Sequence, residues 1–121
     1  LRDAAGTGSV ADNLTDALTA LFGSVAVAIV ALVTFRDELR ARLRETWPAG
    51  VPVLTEAVTM IAAYLAAERD LGRLAPDAVV DALAPTLIGT AHLLFADRGA
   101  RPDREAVHRA VTAVIAGALV P

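Results

Sequence analysis

Residues 11–35 read ADNLTDALTALFGSVAVAIVALVTF, and within them Leu14, Leu18, Leu21, Val25, Ile29 and Leu32 recur at helical spacing. Side chains three, four and seven positions apart share one helix face, so this run predicts a helix from about Ala11 to about Phe35. Its opposite side carries Asp16, Thr19, Ala20, Gly23 and Thr34. Valine is plentiful along the chain, yet the apolar residues do not alternate as a half-buried strand requires. The expected class is therefore all-α, with essentially no strand.

Outward from that helix, Leu1 to Ser9, with Gly6 and Gly8, reads as a loose lead-in ending near residue 10. A short helix is expected over Asp37 to Thr46, with Leu39 and Leu43 inward and Arg40, Arg42 and Arg44 outward, until Trp47-Pro48-Ala49-Gly50 breaks the pattern. A third helix should run from about Val51 to Gly72, with Leu54, Val58, Ile61 and Leu65 along its centre and Gly72 as a left-handed stop. The fourth is expected from about Pro76 to Asp97, entered through proline and an acid, and the last from about Asp103 to Leu119. Together they make a five-helix bundle in one domain, residues 1–121.

The 121 residues, 55% hydrophobic and 21% charged, can bury a core, which excludes a disordered segment. Without cysteine there is no disulfide scaffold, thiolate metal site or catalytic thiol. A net charge of −3 argues against the whole domain gripping nucleic acid, since phosphate neutralisation needs a clustered basic face. The opening Leu1-Arg2-Asp3 has neither an initiator methionine nor the basic start of a signal peptide, so the chain reads as part of a longer protein. Residues 17–35 carry no charge and are almost long enough to cross a bilayer core of about 30 Å. Thr19, Gly23, Ser24, Thr34 and many alanines interrupt that run, and its large side chains keep to one stripe, which favours a bundle over a membrane span.

The fourth helix sharpens the reading. Val79, Val80, Leu83, Leu87, Ile88, Ala91, Leu94 and Phe95 form one broad apolar face. The reverse face, where charged residues would normally meet solvent, reads Ala78, Ala82, Pro85, Gly89, His92, Leu93 and Ala96. A helix apolar all round is buried all round, and in so small a domain the second burying surface is expected to be another subunit. The last helix repeats the feature with Ala106, Ala110, Ala113 and Gly117, so these two helices and their symmetry mates are expected to form a four-helix dimer interface. His92 would serve there as a hydrogen-bonding residue.

The basic stretch Phe35-Arg36-Asp37-Glu38-Leu39-Arg40-Ala41-Arg42-Leu43-Arg44, the segment YLAAERDLGRLAPD from Tyr64 to Asp77, and Leu87-Ile88-Gly89-Thr90-Ala91-His92 followed by a final helix carry a resemblance. From about Leu14 onward the chain resembles the C-terminal regulatory domain of TetR-family transcriptional repressors. The family's N-terminal helix-turn-helix is absent from this sequence. The resemblance implies a cytoplasmic homodimer through the last two helices, a pocket in each bundle for a small, mainly apolar effector, and contact with DNA only through the absent domain. Effector binding would shift the population toward a bundle arrangement that releases DNA. The arginines of residues 36–44 would lie near the missing DNA-reading heads or simply face solvent. The alternatives from other classes are a stand-alone helical oligomerisation module and a small membrane protein.

Few large side chains are available to shape a pocket: Phe22, Trp47, Met60 and Tyr64, with Thr90 and Glu68 as polar handles. Glu68 falls within the apolar arc of its helix, where a carboxylate needs a cation or several donors. It reads as a pocket group for a cationic or hydrogen-bonding effector, as the partner of an arginine such as Arg73, or as a residue partly exposed in the final turn. His92 and His108 lie on different helices without further ligands, so no metal site is expected. With no serine elbow, phosphate-cradling loop or carboxylate pair, neither catalysis nor a cofactor is expected.

Overall fold

The computed structural model describes residues 1–34, 52–96 and 102–120, with side chains described outside residues 24–34 and 52–53. Among them lie four α-helices: α1 Val10–Thr34, α2 Pro52–Asp70, α3 Val80–Ala96 and α4 Arg104–Ile115, preceded by a 3-10 turn, Arg2–Ala4. The all-α expectation holds over these residues, where the one extended pairing is an isolated bridge between Leu74 and Leu119. The expected short helix over Asp37 to Thr46, with its arginines and Trp47, lies outside the described residues.

Among the described residues helix α1 packs closely against α3 and α4, and α2 against α3 and the 3-10 turn, whereas the backbones of α1 and α2 stand further apart and the two helices are joined by the Asn13–Tyr64 hydrogen bond at 3.0 Å. Leu14, Leu18 and Phe22 of α1 are buried with Ile61, Tyr64 and Leu65 of α2, Leu87 and Ile88 of α3, and Val107, Val111 and Ile115 of α4. These residues form one core. Each set follows its helix's three-to-four spacing, so the burial obeys the pattern that the sequence displays.

The ends of the helices explain where the boundaries shift. Helix α2 stops through Gly72, whose φ of 79° is open to glycine at little cost. Gly72 N–H donates to the Arg69 carbonyl at 3.0 Å and Arg73 N–H to the Glu68 carbonyl at 2.9 Å, the paired bonds of a Schellman stop. Helix α3 begins at Val80, later than Pro76, because the Ala78 carbonyl is occupied by Arg69 Nη1 at 3.0 Å and by Val80 N–H. Asp103 caps α4 by accepting from Ala106 N–H at 2.8 Å, and the helix gives way to turns after Ile115. Ala75 N–H then bonds to the Ala118 carbonyl at 2.8 Å, fixing the residues after α4 to the turn after α2.

Among the described residues no helix is long and apolar enough to cross a membrane. Residues 24–34, the later part of the uncharged run in α1, fall outside that statement because their side chains are not described.

Candidate functional site

The loose fit between α1 and α2 leaves a groove of about 610 Å3. Asn13, Asp16, Ala17, Ala20 and Leu21 of α1 form one wall, and Ala57, Met60 and Ile61 of α2 the other. Leu1 and Ala4 of the lead-in complete it. Among the described lining residues Asn13 and Asp16 carry the polar side chains, so this part of the groove suits a mainly apolar guest with a polar end. Asp16 is exposed and already paired with Arg104, whose Nε lies 3.1 Å from its Oδ1.

Beside the groove, reached through Asn13, sits a polar cluster centred on the fully buried Tyr64 and Glu68. Glu68 has no exposed surface, and its carboxylate is satisfied on both oxygens. Oε1 accepts from Gly6 N–H at 2.7 Å, while Oε2 accepts from the Tyr64 hydroxyl at 2.7 Å and from Arg73 Nη2 at 2.9 Å. Tyr64 and Glu68 meet because they stand one turn apart on α2. Arg73 meets Glu68 because the Schellman stop folds the chain back at Gly72; the contact between these two cap positions, apolar in most such stops, is here an ion pair. Burial, and then the bond to Glu68, push the Tyr64 hydroxyl up to about 12, so it stays protonated and donates.

The same cluster fastens the lead-in, which the sequence marked as loose. Arg73 also donates to the Gly8 carbonyl at 2.9 Å and the Thr7 carbonyl at 3.0 Å. Asn13 Nδ2 donates to the Thr7 carbonyl at 2.9 Å, to the Tyr64 hydroxyl at 3.0 Å and to the Ala4 carbonyl at 3.2 Å. A second polar group joins the starts of α1 and α4: Arg104 and His108 both reach Asp12, at 3.2 Å and 3.3 Å. The Ser9 hydroxyl and then Arg104 hold the Asp12 carboxyl below its ordinary range.

The pocket residues expected from sequence do not line one cavity. Met60 stands exposed in the groove, and Tyr64 and Glu68 lie beside it with their polar atoms engaged by the protein itself. Phe22 is buried against α3, stacked on Phe95 with ring centroids 5.6 Å apart and tilted toward His92 at 6.1 Å. Thr90 is half-buried on α3. Sequence reasoning missed the alanine walls, Leu1, Ala4 and Asn13; the signal for the walls was present in Ala17 and Ala20, beside the main apolar stripe of α1.

On the far side of the bundle the small-residue strips face outward. Ala82, Pro85, Gly89, Leu93 and Ala96 of α3 are exposed, as are Ala113 and Gly117, while His92, Ala106 and Ala110 are half-buried and Ala78, ahead of α3, is buried in the core and not on the outward strip. Leu93 on α3 is 73% exposed, and Val79, just before the helix and expected on its buried apolar face, is 63% exposed. The two strips adjoin: Val79, Ala82 and Thr86 of the α3 side and Val114, Gly117 and Ala118 of the α4 side line a common hollow of about 370 Å3. Among the described residues a Cβ at Gly89 or Gly117 would meet nothing within 4 Å, so their packing demands neither glycine.

No protein-family model matches this chain, and no curated protein or solved structure matches it either.

Proposed function

We propose that this chain is the effector-binding and dimerisation domain of a TetR-type transcriptional regulator, a cytoplasmic homodimer that contacts DNA through a helix-turn-helix outside this sequence. The observation that carries the reading is the outward face of α3, on which Ala82, Pro85, Gly89, Leu93 and Ala96 stand exposed without a charge among them. Gly89 lies inside a helix, where glycine costs about 1 kcal/mol relative to alanine, and among the described residues no neighbour needs the space. Close approach of a second copy accounts for both the missing charges and the missing side chain. The adjoining strip of α4 extends that surface, so that two helices from each copy form the interface.

The groove between α1 and α2 is the effector site in this reading. Its volume falls within the roughly 300–1,000 Å3 of small-molecule sites, and its lining selects a small, mainly apolar molecule. Binding favours one arrangement of α1 relative to α2, and the dimer converts it into a changed separation of the attached DNA-reading heads.

Sedimentation of the chain at micromolar concentration tests the proposal, with a dimer expected. Gly89→Arg should yield a folded monomer, because the site has room in the single chain but not at a close helix contact. A wild-type monomer, or a Gly89→Arg chain of unchanged mass, refutes the interface. A dimer that binds no apolar molecule would favour a stand-alone oligomerisation module.

A further inference from the structure

We propose that the segment Leu1–Ser9 is a strap latched by Glu68, and that its latched position is the one a ligand in the α1–α2 groove requires. The inference rests on the reading of that groove as an effector site and names the element through which occupancy is reported.

Two walls of the groove stand on helices that belong to the core, while the third, Leu1 and Ala4, stands on the strap. The 3-10 turn of the strap has no fully buried residue. Leu1, Ala4 and Ala5 are only partly buried against the core, so polar contacts supply much of the hold. In those contacts the strap offers backbone groups: the Gly6 N–H to Glu68, and the Ala4, Thr7 and Gly8 carbonyls to Asn13 and Arg73. The bundle side supplies the side chains of these contacts, and the strap adds one of its own where it joins α1, the Ser9 hydroxyl accepting from Asp12 N–H at 3.0 Å. Such an attachment opens locally without unfolding the helices beneath it.

Asn13 ties the two events together. It lines the groove, and its amide holds the strap at Ala4 and Thr7 while donating to Tyr64, which in turn donates to Glu68. A guest touching Leu1 and Ala4 makes those contacts only while the strap is down. It therefore binds the latched state more tightly, and by reciprocity it holds the latch closed by the same factor.

Gly6 offers a way to loosen the latch without touching the core. Its φ is 82°, and a Cβ there would lie 3.2 Å from Leu71 Cδ1, so Gly6→Ala strains the latched form alone. The experiment combines binding of the neutral apolar fluorophore N-phenyl-1-naphthylamine with amide hydrogen exchange at residues 6 and 7 of the full 121-residue chain. Saturating fluorophore should slow exchange at both amides in the wild type. Gly6→Ala should speed their exchange and weaken fluorophore binding by a similar factor, about fivefold. Met60→Arg should block binding and leave the ligand-free exchange rates unchanged.

Equal affinities in wild type and Gly6→Ala overturn the proposal, as does exchange at residues 6 and 7 that ignores the bound fluorophore. Failure of the wild type to bind it overturns the proposal as well. Glu68→Gln, checked by circular dichroism for retained helix, should loosen the strap in the same direction as Gly6→Ala. The regulator reading fails separately: a monomer in which fluorophore still slows strap exchange refutes the dimeric regulator and leaves the strap standing, and a dimer without that coupling does the reverse.

Discussion

Replacing Arg73 by methionine keeps an aliphatic side chain of similar reach and removes the guanidinium, so its effect isolates the polar contacts. Three interactions disappear: the ion pair with Glu68 at 2.9 Å and the bonds to the Thr7 and Gly8 carbonyls at 3.0 Å and 2.9 Å. Removing one partner of a fully buried pair costs about 3–5 kcal/mol, because the remaining charge is left uncompensated. Glu68 is fully enclosed but the Arg73 side chain is 28% exposed, so water can enter the vacated place and the loss falls toward the low end. Two bonds remain to Glu68, from Gly6 and Tyr64, and soften it further. The expected destabilisation is about 2–3 kcal/mol, which for a domain of this size lowers Tm by roughly 10 °C. Urea unfolding at one fixed protomer concentration measures it, since dissociation of a dimer would otherwise add a concentration-dependent contribution. In a cycle with Glu68→Gln, the coupling should exceed about 1 kcal/mol. A loss below about 0.5 kcal/mol, or strict additivity with Glu68→Gln, would show that the cluster does not bind the strap to the bundle.

Two further expectations are independent of the cluster. The Asp12 carboxyl is held low, so its contribution to stability is present above the ordinary aspartate value and is lost as pH falls through its lowered folded value. An NMR titration should show Asp12 losing its proton at lower pH in the wild type than in Arg104→Gln, and the opposite order would contradict the pairing at 3.2 Å. The isolated chain, acidic overall at −3, should also show no sequence-selective, salt-sensitive shift of DNA in a gel; such a shift would place a DNA reader inside these residues.

What could be read from the sequence divides along a physical line. Apolar periodicity reports which face of a helix leaves water, and it found the buried sides of α2, α3, α4 and the first half of α1, while Val25, Ile29 and Leu32 lie outside the described side chains and Val79, expected on the apolar face, stands exposed ahead of α3. Terminal chemistry was legible where one residue decides it: Gly72 adopts the left-handed stop and Asp103 caps α4. The start of α3 was not legible, because Arg69 is distant from Ala78 in any linear reading and takes that carbonyl only once the turn has formed. The absence of charge on the outer face of α3 was visible in the sequence, and the structure leaves Leu93 and Val79 uncovered on that helix and its approach.

The candidate site was harder for a different reason. A groove is the place where two helices fail to meet, and the spacing within each helix says nothing about the distance to its neighbour. Large side chains drew attention to Phe22 and Tyr64, but size favours burial, and both were absorbed into packing. The groove walls are built instead from alanines such as Ala17, Ala20 and Ala57, whose shortness creates the space. Glu68 was the one informative oddity, a carboxylate in an apolar arc that required partners. Arg73 was foreseeable among them, since a left-handed stop between two residues five apart brings their side chains together. Gly6 was not, because it contributes a backbone N–H that any residue except proline carries; only its φ of 82° and its place opposite a buried carboxylate distinguish it. The strap's bonds to Glu68, Asn13 and Arg73 thus run through atoms common to every peptide bond, which is why its sequence reads as loose while its position is fixed.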